Sequence, residues 1–268
     1  MEPPLKAPRQ VVPPSSVDTA RMRQVYLDKG WVQVPGPFLS LGACKELSSF
    51  AMQCIEEKCS FHSSEQHTIY QEEIDASMPK DHCRNALQQS EKYIVDYARL
   101  PAESPLKKLY TDIAFREMVR EIVGLPELHV SACPFNAAYL NVYKDGHGLG
   151  WHFDRSEFGV SLLLVQPSSG GQLEYHKDTR SEEDLWSYSK VQELLTEGSA
   201  HPEVSVANEV EPGDIVIFNG RMSMHRVLPV AGGQPRINAI LTYEREPNAK
   251  LNAYSLQKFF GRSTDEHQ

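Results

Sequence analysis

The stretch GWHFDRSEFGV, residues 150–160, sets His152 and Asp154 one residue apart inside an apolar and aromatic run. Side chains alternate along a strand, so residues two apart face the same way. Burying either ionisable group without a partner is costly. A shared divalent metal offsets that cost, because imidazole and carboxylate are both ligands. A third ligand must come from elsewhere. His225, in GDIVIFNGRMSMHRVLPV, opens another apolar strand and is the best candidate. Two imidazoles and one carboxylate form the facial triad of non-haem Fe(II), which leaves positions open for a co-substrate and oxygen.

Such a centre needs a dicarboxylate co-substrate, and a buried carboxylate needs a rigid bidentate donor. Arg236 heads RINAILTYE, downstream of His225. If its strand pairs with the His225 strand, Arg236 points inward beside the metal. Asn238, two residues on, faces the same side.

With these residues in order, the chain resembles the Fe(II)- and 2-oxoglutarate-dependent dioxygenases over roughly residues 136–246. The resemblance rests on H-x-D, a distal His and an Arg on the following strand. It implies a double-stranded β-helix, or jelly roll. In YLNVYKDGHGLGWHFD it implies that Asn141 and Tyr143 hold 2-oxoglutarate, together with Arg236 and Asn238. A narrower resemblance, to the BesD/HalD-like branch of amino-acid halogenases and hydroxylases, rests on SGGQLEYHKDTR, GDIVIFNGRMSMHRVLPVAGGQPRINAILTYEREP and FFGR.

That branch implies a helical N-terminal half and a small amine acid, such as a free amino acid, as substrate. Fe(II), 2-oxoglutarate and O2 are the implied cofactors, with succinate and CO2 released. Radical halogenases of the branch carry Gly or Ala where this chain has Asp154, so the resemblance implies hydroxylation, or related desaturation or cyclisation. Because the branch uses an arginine from its helices, Arg84 is a candidate for the substrate carboxylate. Arg155 follows Asp154, and Thr242 lies on the Arg236 face of its strand; both are further substrate candidates. Two rival readings remain: a nucleic-acid or protein demethylase or hydroxylase of the same superfamily, and a non-catalytic jelly-roll binding module.

The elements that must position these residues give an α+β pattern. Residues 1–15 are proline-rich and read as a flexible arm. Helical spacing follows from Ser16 to Gly30, over 41–58 and over 106–123, and 82–98 reads as helical too. The region 16–125 is thus expected to be mainly helical. From 126 to 268, short apolar runs alternate with Gly, Pro, Asn and Asp, the signature of a sandwich or barrel. A charged segment at about 176–210 reads as an insertion that could fold over the site as a lid. One compact catalytic unit is expected.

The other residues have plainer readings. Trp151 and Phe153 alternate with the ligands and read as core. Arg226 reads as half of a structural salt bridge, Gly170 and Gly171 as a turn, and His147 in KDGHGLG as a loop histidine. His129, His176 and His201 lack a partner pattern.

Composition narrows the function. The chain has 268 residues and a net charge of −9, which argues against a nucleic-acid partner, since phosphate neutralisation supplies most of that affinity. Its five cysteines include no C-x-x-C pair and read as reduced thiols of a cytoplasmic protein. The start MEPPLKAPRQVVPP has no secretory h-region, and no apolar run reaches the ~20 residues that span a bilayer. No membrane or nucleic-acid partner is expected.

Overall fold

A computed structural model describes residues 9–267. Helix α1 (Thr19–Lys29) starts where the Asp18 carboxylate accepts the Arg21 N–H, and stops at Gly30 in the left-handed region. Helix α2 (Leu41–Glu56) is capped by Ser40. The stretch read as one helix over 106–123 is two, α3 (Pro105–Thr111) and α4 (Ile113–Val123). Asp112 adopts an extended conformation, ends the first helix and caps the second by accepting the Phe115 N–H. The break leaves Ile113 68% exposed. Two short helices follow later, α5 (Tyr188–Glu197) and α6 (Ala253–Phe260).

The helix expected over 82–98 does not form. Strands β4 (Leu87–Gln89) and β5 (Lys92–Val95) occupy it, with only single 3-10 turns beside them. Strand pairing overrides the helical reading here. β5 is hydrogen-bonded on one side to β2 (Phe61–Ser63) and on the other to β7 (Ala138–Tyr143).

Seven antiparallel strands form the larger sheet, in the order β1 (Trp31–Val34), β13 (Ile215–Phe218), β9 (Gly159–Val165), β16 (Arg236–Leu241), β7, β5, β2. The smaller sheet has the order β12 (Val204–Ala207), β11 (Leu173–His176), β14 (Met224–Val227), β8 (Leu149–His152). Three two-stranded pairs complete the set: β3 (Gln66–Thr68) with β4, β6 (His129–Val130) with β17 (Tyr243–Glu244), and β10 (Ser169–Gly170) with β15 (Val230–Ala231). From β7 onward the chain crosses repeatedly between the two large sheets: β7, β9, β13 and β16 in one, β8, β11, β12 and β14 in the other. That alternation is the double-stranded β-helix.

Residue alternation gives the larger sheet two different faces. Leu140, Val142, Leu162, Ile215, Ile217, Ile237 and Ala239 face outward into the main core, with Leu47 and Ala51 of α2 and Phe115 and Val119 of α4. Asn141, Tyr143, Ser161, Arg236 and Asn238 point the other way, into the interior of the roll. The N-terminal half is therefore more than a helical cover. It adds β1 to one edge of the larger sheet and β5 and β2 to the other, so the expected boundary at 125–126 cuts through one sheet.

Part of the expected flexible arm lies outside the described residues. The described part is anchored: Arg9 pairs with Asp214 and Glu211, and the Val12 N–H donates to the Pro37 carbonyl. The expected insertion is also narrower than 176–210, because β12 pairs with β11 as a regular sheet strand. The five cysteines are free, and four of them are buried. Among the described residues, no helix is long and apolar enough to cross a membrane.

A chain beginning at residue 126 would lack β1, β2 and β5 and expose the apolar face now covered by α2 and α4. Burying an aliphatic or aromatic side chain is worth about 1.5–3 kcal/mol, so many such losses exceed a typical folding stability. That chain is expected to show no cooperative thermal transition by circular dichroism. A sharp transition would show that 126–268 folds alone.

Candidate active site

His152 ends β8, and His225 lies directly opposite it on the neighbouring strand β14. Their ring centroids are 4.2 Å apart. Asp154 follows two residues after His152, where its N–H donates to the Gly220 carbonyl at 2.9 Å. Its Oδ1 is 3.5 Å from His152 Nε2, and its Oδ2 is 3.4 Å from His225 Nε2. Three ligand atoms of a metal-binding kind thus converge within 4.8 Å.

The backbone sets the tautomer of both imidazoles. His152 Nδ1 lies 2.8 Å from the Gly150 carbonyl, and His225 Nδ1 lies 3.1 Å from the Ser223 carbonyl. A carbonyl only accepts, so each Nδ1 carries the proton and each Nε2 presents a lone pair to the shared point. Burial, then the neighbouring His225, lowers the His152 pKa. Burial alone would raise the Asp154 carboxyl, but the facing His225 and His152 hold it below the usual carboxylate range. At neutral pH the His152 ring is neutral and Asp154 is ionised, the forms that bind a metal.

Space around the carboxylate is tight. A Cβ on Gly220 would lie 2.2 Å from Asp154 Oδ2. The His67 ring meets His152 edge-on at 5.7 Å, with its Nδ1 on the Thr68 carbonyl and its pKa pushed by burial down to about 3. Trp151 and Phe153 face the opposite way and pack with Ile69, Met224, Val191 and Leu194. Arg226, also on that side, pairs with Glu174 at 2.7 Å.

A cavity of about 290 Å³ separates the histidine pair from the inner face of the larger sheet. Arg236 reaches it from across the roll. Its strand does not pair with the His225 strand, as expected above, but lies between β7 and β9. The register sets Arg236 opposite Tyr143 and Asn238 opposite Asn141. Arg236 Nη1 donates to Asn238 Oδ1 at 2.6 Å, and Asn238 Nδ2 donates to Ser161 Oγ at 2.8 Å. Asn141 Oδ1 is buried without a hydrogen-bond partner. Among the described residues, no carboxylate pairs with Arg236. A guanidinium without an anion and an orphaned amide oxygen fit a site that awaits a polar, anionic guest.

Two of the three substrate candidates reach the cavity. Thr242 lines it and is buried. Arg155 lines it with its guanidinium 3.0 Å from Glu72. Arg84 does not line it. Arg84 is 5% exposed, with Nη2 held by Glu72 at 3.0 Å and the Tyr70 and Trp186 rings beside it, while its Nε and Nη1 are buried without a hydrogen-bond partner. The insertion divides: none of residues 177–203 lines the cavity, and α5 packs behind Trp151 and Phe153, whereas Ala207, Asn208, Glu209 and Val210 at its end do line it.

The structure adds Lys92 and Gln71, which sequence reasoning missed. Lys92 is 4% exposed, lines the cavity and has its pKa lowered by burial to about 8. Among the described residues it makes no ion pair. The helical reading of 82–98 hid it; read as a strand, KYIV puts Lys92 and Ile94 on one face. Gln71 has a φ of 52° in the turn after β3, a conformation that non-glycine residues seldom adopt, and it too lines the cavity.

Comparison with known proteins agrees with this architecture. The chain is similar to an oxidoreductase of the 2OG-Fe(II) oxygenase family from Burkholderia pseudomallei, with 15% identity, a TM-score of 0.55, and 86% of this chain and 92% of that one covered. It is similar to AviO1 from Streptomyces viridochromogenes, with 15% identity, a TM-score of 0.57, and 88% and 98% covered. HygX from Streptomyces hygroscopicus, solved with nickel, 2-oxoglutarate and hygromycin B bound, shares 17% identity and a TM-score of 0.53, over 84% of this chain and 86% of that one. At such identities the likeness establishes the fold. No curated protein matches the chain. A family model described as halogenase D matches residues 71–257, more than half of the sequence and including every residue of the histidine–aspartate cluster. The chain therefore belongs to the halogenase D family, within the Fe(II)- and 2-oxoglutarate-dependent oxygenases.

Proposed function

We propose that this oxygenase acts on a free amino acid or a similarly small amine acid and oxidises it without adding halide. The products are then hydroxylated, desaturated or cyclised. One observation carries the reading: a two-histidine, one-carboxylate set faces two cations, half-buried Arg236 and buried Lys92, that make no ion pair with a carboxylate among the described residues.

In this reading His152, Asp154 and His225 hold Fe(II) through Nε2, a carboxylate oxygen and Nε2. Fe(II), with 2-oxoglutarate and O2, supplies the oxidising chemistry and releases succinate and CO2. Arg236, braced by Asn238 and Ser161, takes the distal carboxylate of 2-oxoglutarate, while Asn141 and Tyr143 line its path. Lys92 supplies a second positive charge, suited to the α-carboxylate of the substrate. Glu72 and Arg155 set both signs of charge near the entrance, and Thr242 and Gln71 offer neutral polar contacts.

The cavity supports a small substrate. Its volume is at the low end of the roughly 300–1,000 Å³ common for ligand sites, enough for 2-oxoglutarate and one compact molecule. The net charge of −9 weighs against a nucleic-acid substrate. The carboxylate at 154 supports oxygenation over halogenation, because it fills the place that a halide needs on the metal.

Three outcomes are expected. Gly220→Ala should push the Asp154 carboxylate out of place and weaken Fe(II) binding by roughly 10–100-fold, the range seen when ligand support is lost. Calorimetric Fe(II) titration under anaerobic conditions measures it, and unchanged affinity would remove Asp154 from the ligand set.

Arg236→Lys keeps the charge but loses the two-pronged donor. Losing a charge-assisted hydrogen bond costs about 1.5–3 kcal/mol, so the 2-oxoglutarate requirement should rise by about tenfold or more. The requirement for the amino acid should move less. Equal rises in both would count against the assignment.

Incubation of the Fe(II) enzyme with 2-oxoglutarate, a panel of amino acids and excess chloride should give succinate release with at least one of them. The product mass should show no chlorine. A chlorinated product would mean that Asp154 leaves the metal open to halide.

A further inference from the structure

We propose a second metal site, separate from the proposed iron ligands, formed by His62, Glu91 and His147 and taking a divalent ion of the zinc class. His62 lies in β2, Glu91 immediately precedes β5, and His147 lies in the turn between β7 and β8. Their ligand atoms all fall within 4.8 Å of one another. Glu91 Oε1 is 3.3 Å from His62 Nε2 and 3.5 Å from His147 Nε2. Those separations are long for hydrogen bonds. They match the ~3.3 Å expected between neighbouring ligands of a tetrahedral ion with bonds of about 2.0–2.1 Å.

The three side chains are held in place before any ion arrives. The Glu91 N–H donates to the Gly148 carbonyl at 2.8 Å, which ties the β5 edge to the β7–β8 turn. The His147 N–H donates to the Lys144 carbonyl, and its own carbonyl accepts the Val230 N–H. The His62 ring stacks on Tyr93 at 4.3 Å and lies nearly parallel to the His147 ring at 5.9 Å.

The His147 side chain is 12% exposed, and among the described residues its Nε2, the nitrogen turned to Glu91, has only the long 3.5 Å contact to that carboxylate. Burial lowers its pKa, so the ring is neutral and free to ligate. Lys144, packed on the Tyr93 ring, opposes a cation here, and the Glu91 carboxylate offsets that charge.

The donor set narrows the ion. Two imidazoles and one carboxylate suit first-row transition ions such as zinc, nickel, copper or iron(II) and are too few and too soft for magnesium or calcium. His62 and Glu91 are 40% and 39% exposed, so water can complete the shell. A bound ion would tie β5, which carries Lys92 into the cavity, to the turn that leads into β8 and His152. It would thereby brace two walls of the active site from outside.

Equilibrium dialysis of the apo-protein against Zn2+, with metal analysis, tests the site. The unmodified chain should take up two equivalents, His62→Ala one, His225→Ala one, and the double variant none. Glu91→Gln keeps the shape of the side chain and should also lose one equivalent. A second readout is the thermal transition: Zn2+ should raise it in His225→Ala and leave it unmoved in the double variant. Two equivalents in both His62→Ala and Glu91→Gln, or a single equivalent in the unmodified chain that His225→Ala abolishes, would overturn the second site. Two equivalents retained in His225→Ala and lost singly in His62→Ala would instead leave the second site standing and remove His225 from the first.

Discussion

The backbone pairing of β14 with β8 sets His225 opposite His152, and the rest of the site is built around that pair. Each ring is pinned by its own strand, through Nδ1 on a carbonyl two residues upstream. The two Nε2 atoms are thus oriented by the ladder itself and need no flexible support. Asp154 completes the set because its N–H is anchored to Gly220, whose missing side chain leaves room for the carboxylate. A single Cβ there competes for the space of a ligand oxygen.

The opposing sheet brings charge instead of ligands. Arg236, Tyr143 and Lys92 come from β16, β7 and β5, three neighbouring strands, and line one wall. Both cations are largely withdrawn from water, and neither makes an ion pair among the described residues. Burying an unpaired ion costs several kcal/mol even after relaxation. That instability is tolerated because the outer face of the same sheet is packed against α2 and α4 over an extensive apolar surface. Two carboxylates arriving with the guests would recover the lost solvation, so binding and charge balance are coupled.

Helices and strands of the N-terminal half divide this labour. The helices hold the larger sheet from outside, while β5 delivers Lys92 inward from its edge. Glu91, the next residue back, belongs to the outer cluster with His62 and His147. One short strand therefore links the interior of the site to its rim.

Much of the chemistry was legible in the amino-acid order. H-x-D on a strand, a distal His and R-x-N are local patterns, and local patterns survive folding because strand alternation alone sets their faces. Asn141 and Tyr143 were pointed to by the family resemblance, while strand alternation alone gave the outward faces of Trp151 and Phe153. The helices at 19–29 and 41–56 carried their own caps. Three things depended on tertiary structure. Within 82–98, Lys92–Val95 is strand because β2 and β7 offer hydrogen bonds on both sides, and this pairing, absent from local periodicity, revealed Lys92. Arg236 faces the His152–Asp154–His225 cluster from the other sheet, since β16 pairs with β7 and β9, and no local rule assigns a strand to a sheet. Arg84, a substrate candidate in the sequence, lies instead against Glu72 and Tyr70 of one segment and Trp186 of another, away from the cavity. A sequence states what each residue can do along its own strand or helix; which partners and which wall it meets is set by long-range packing between sheets.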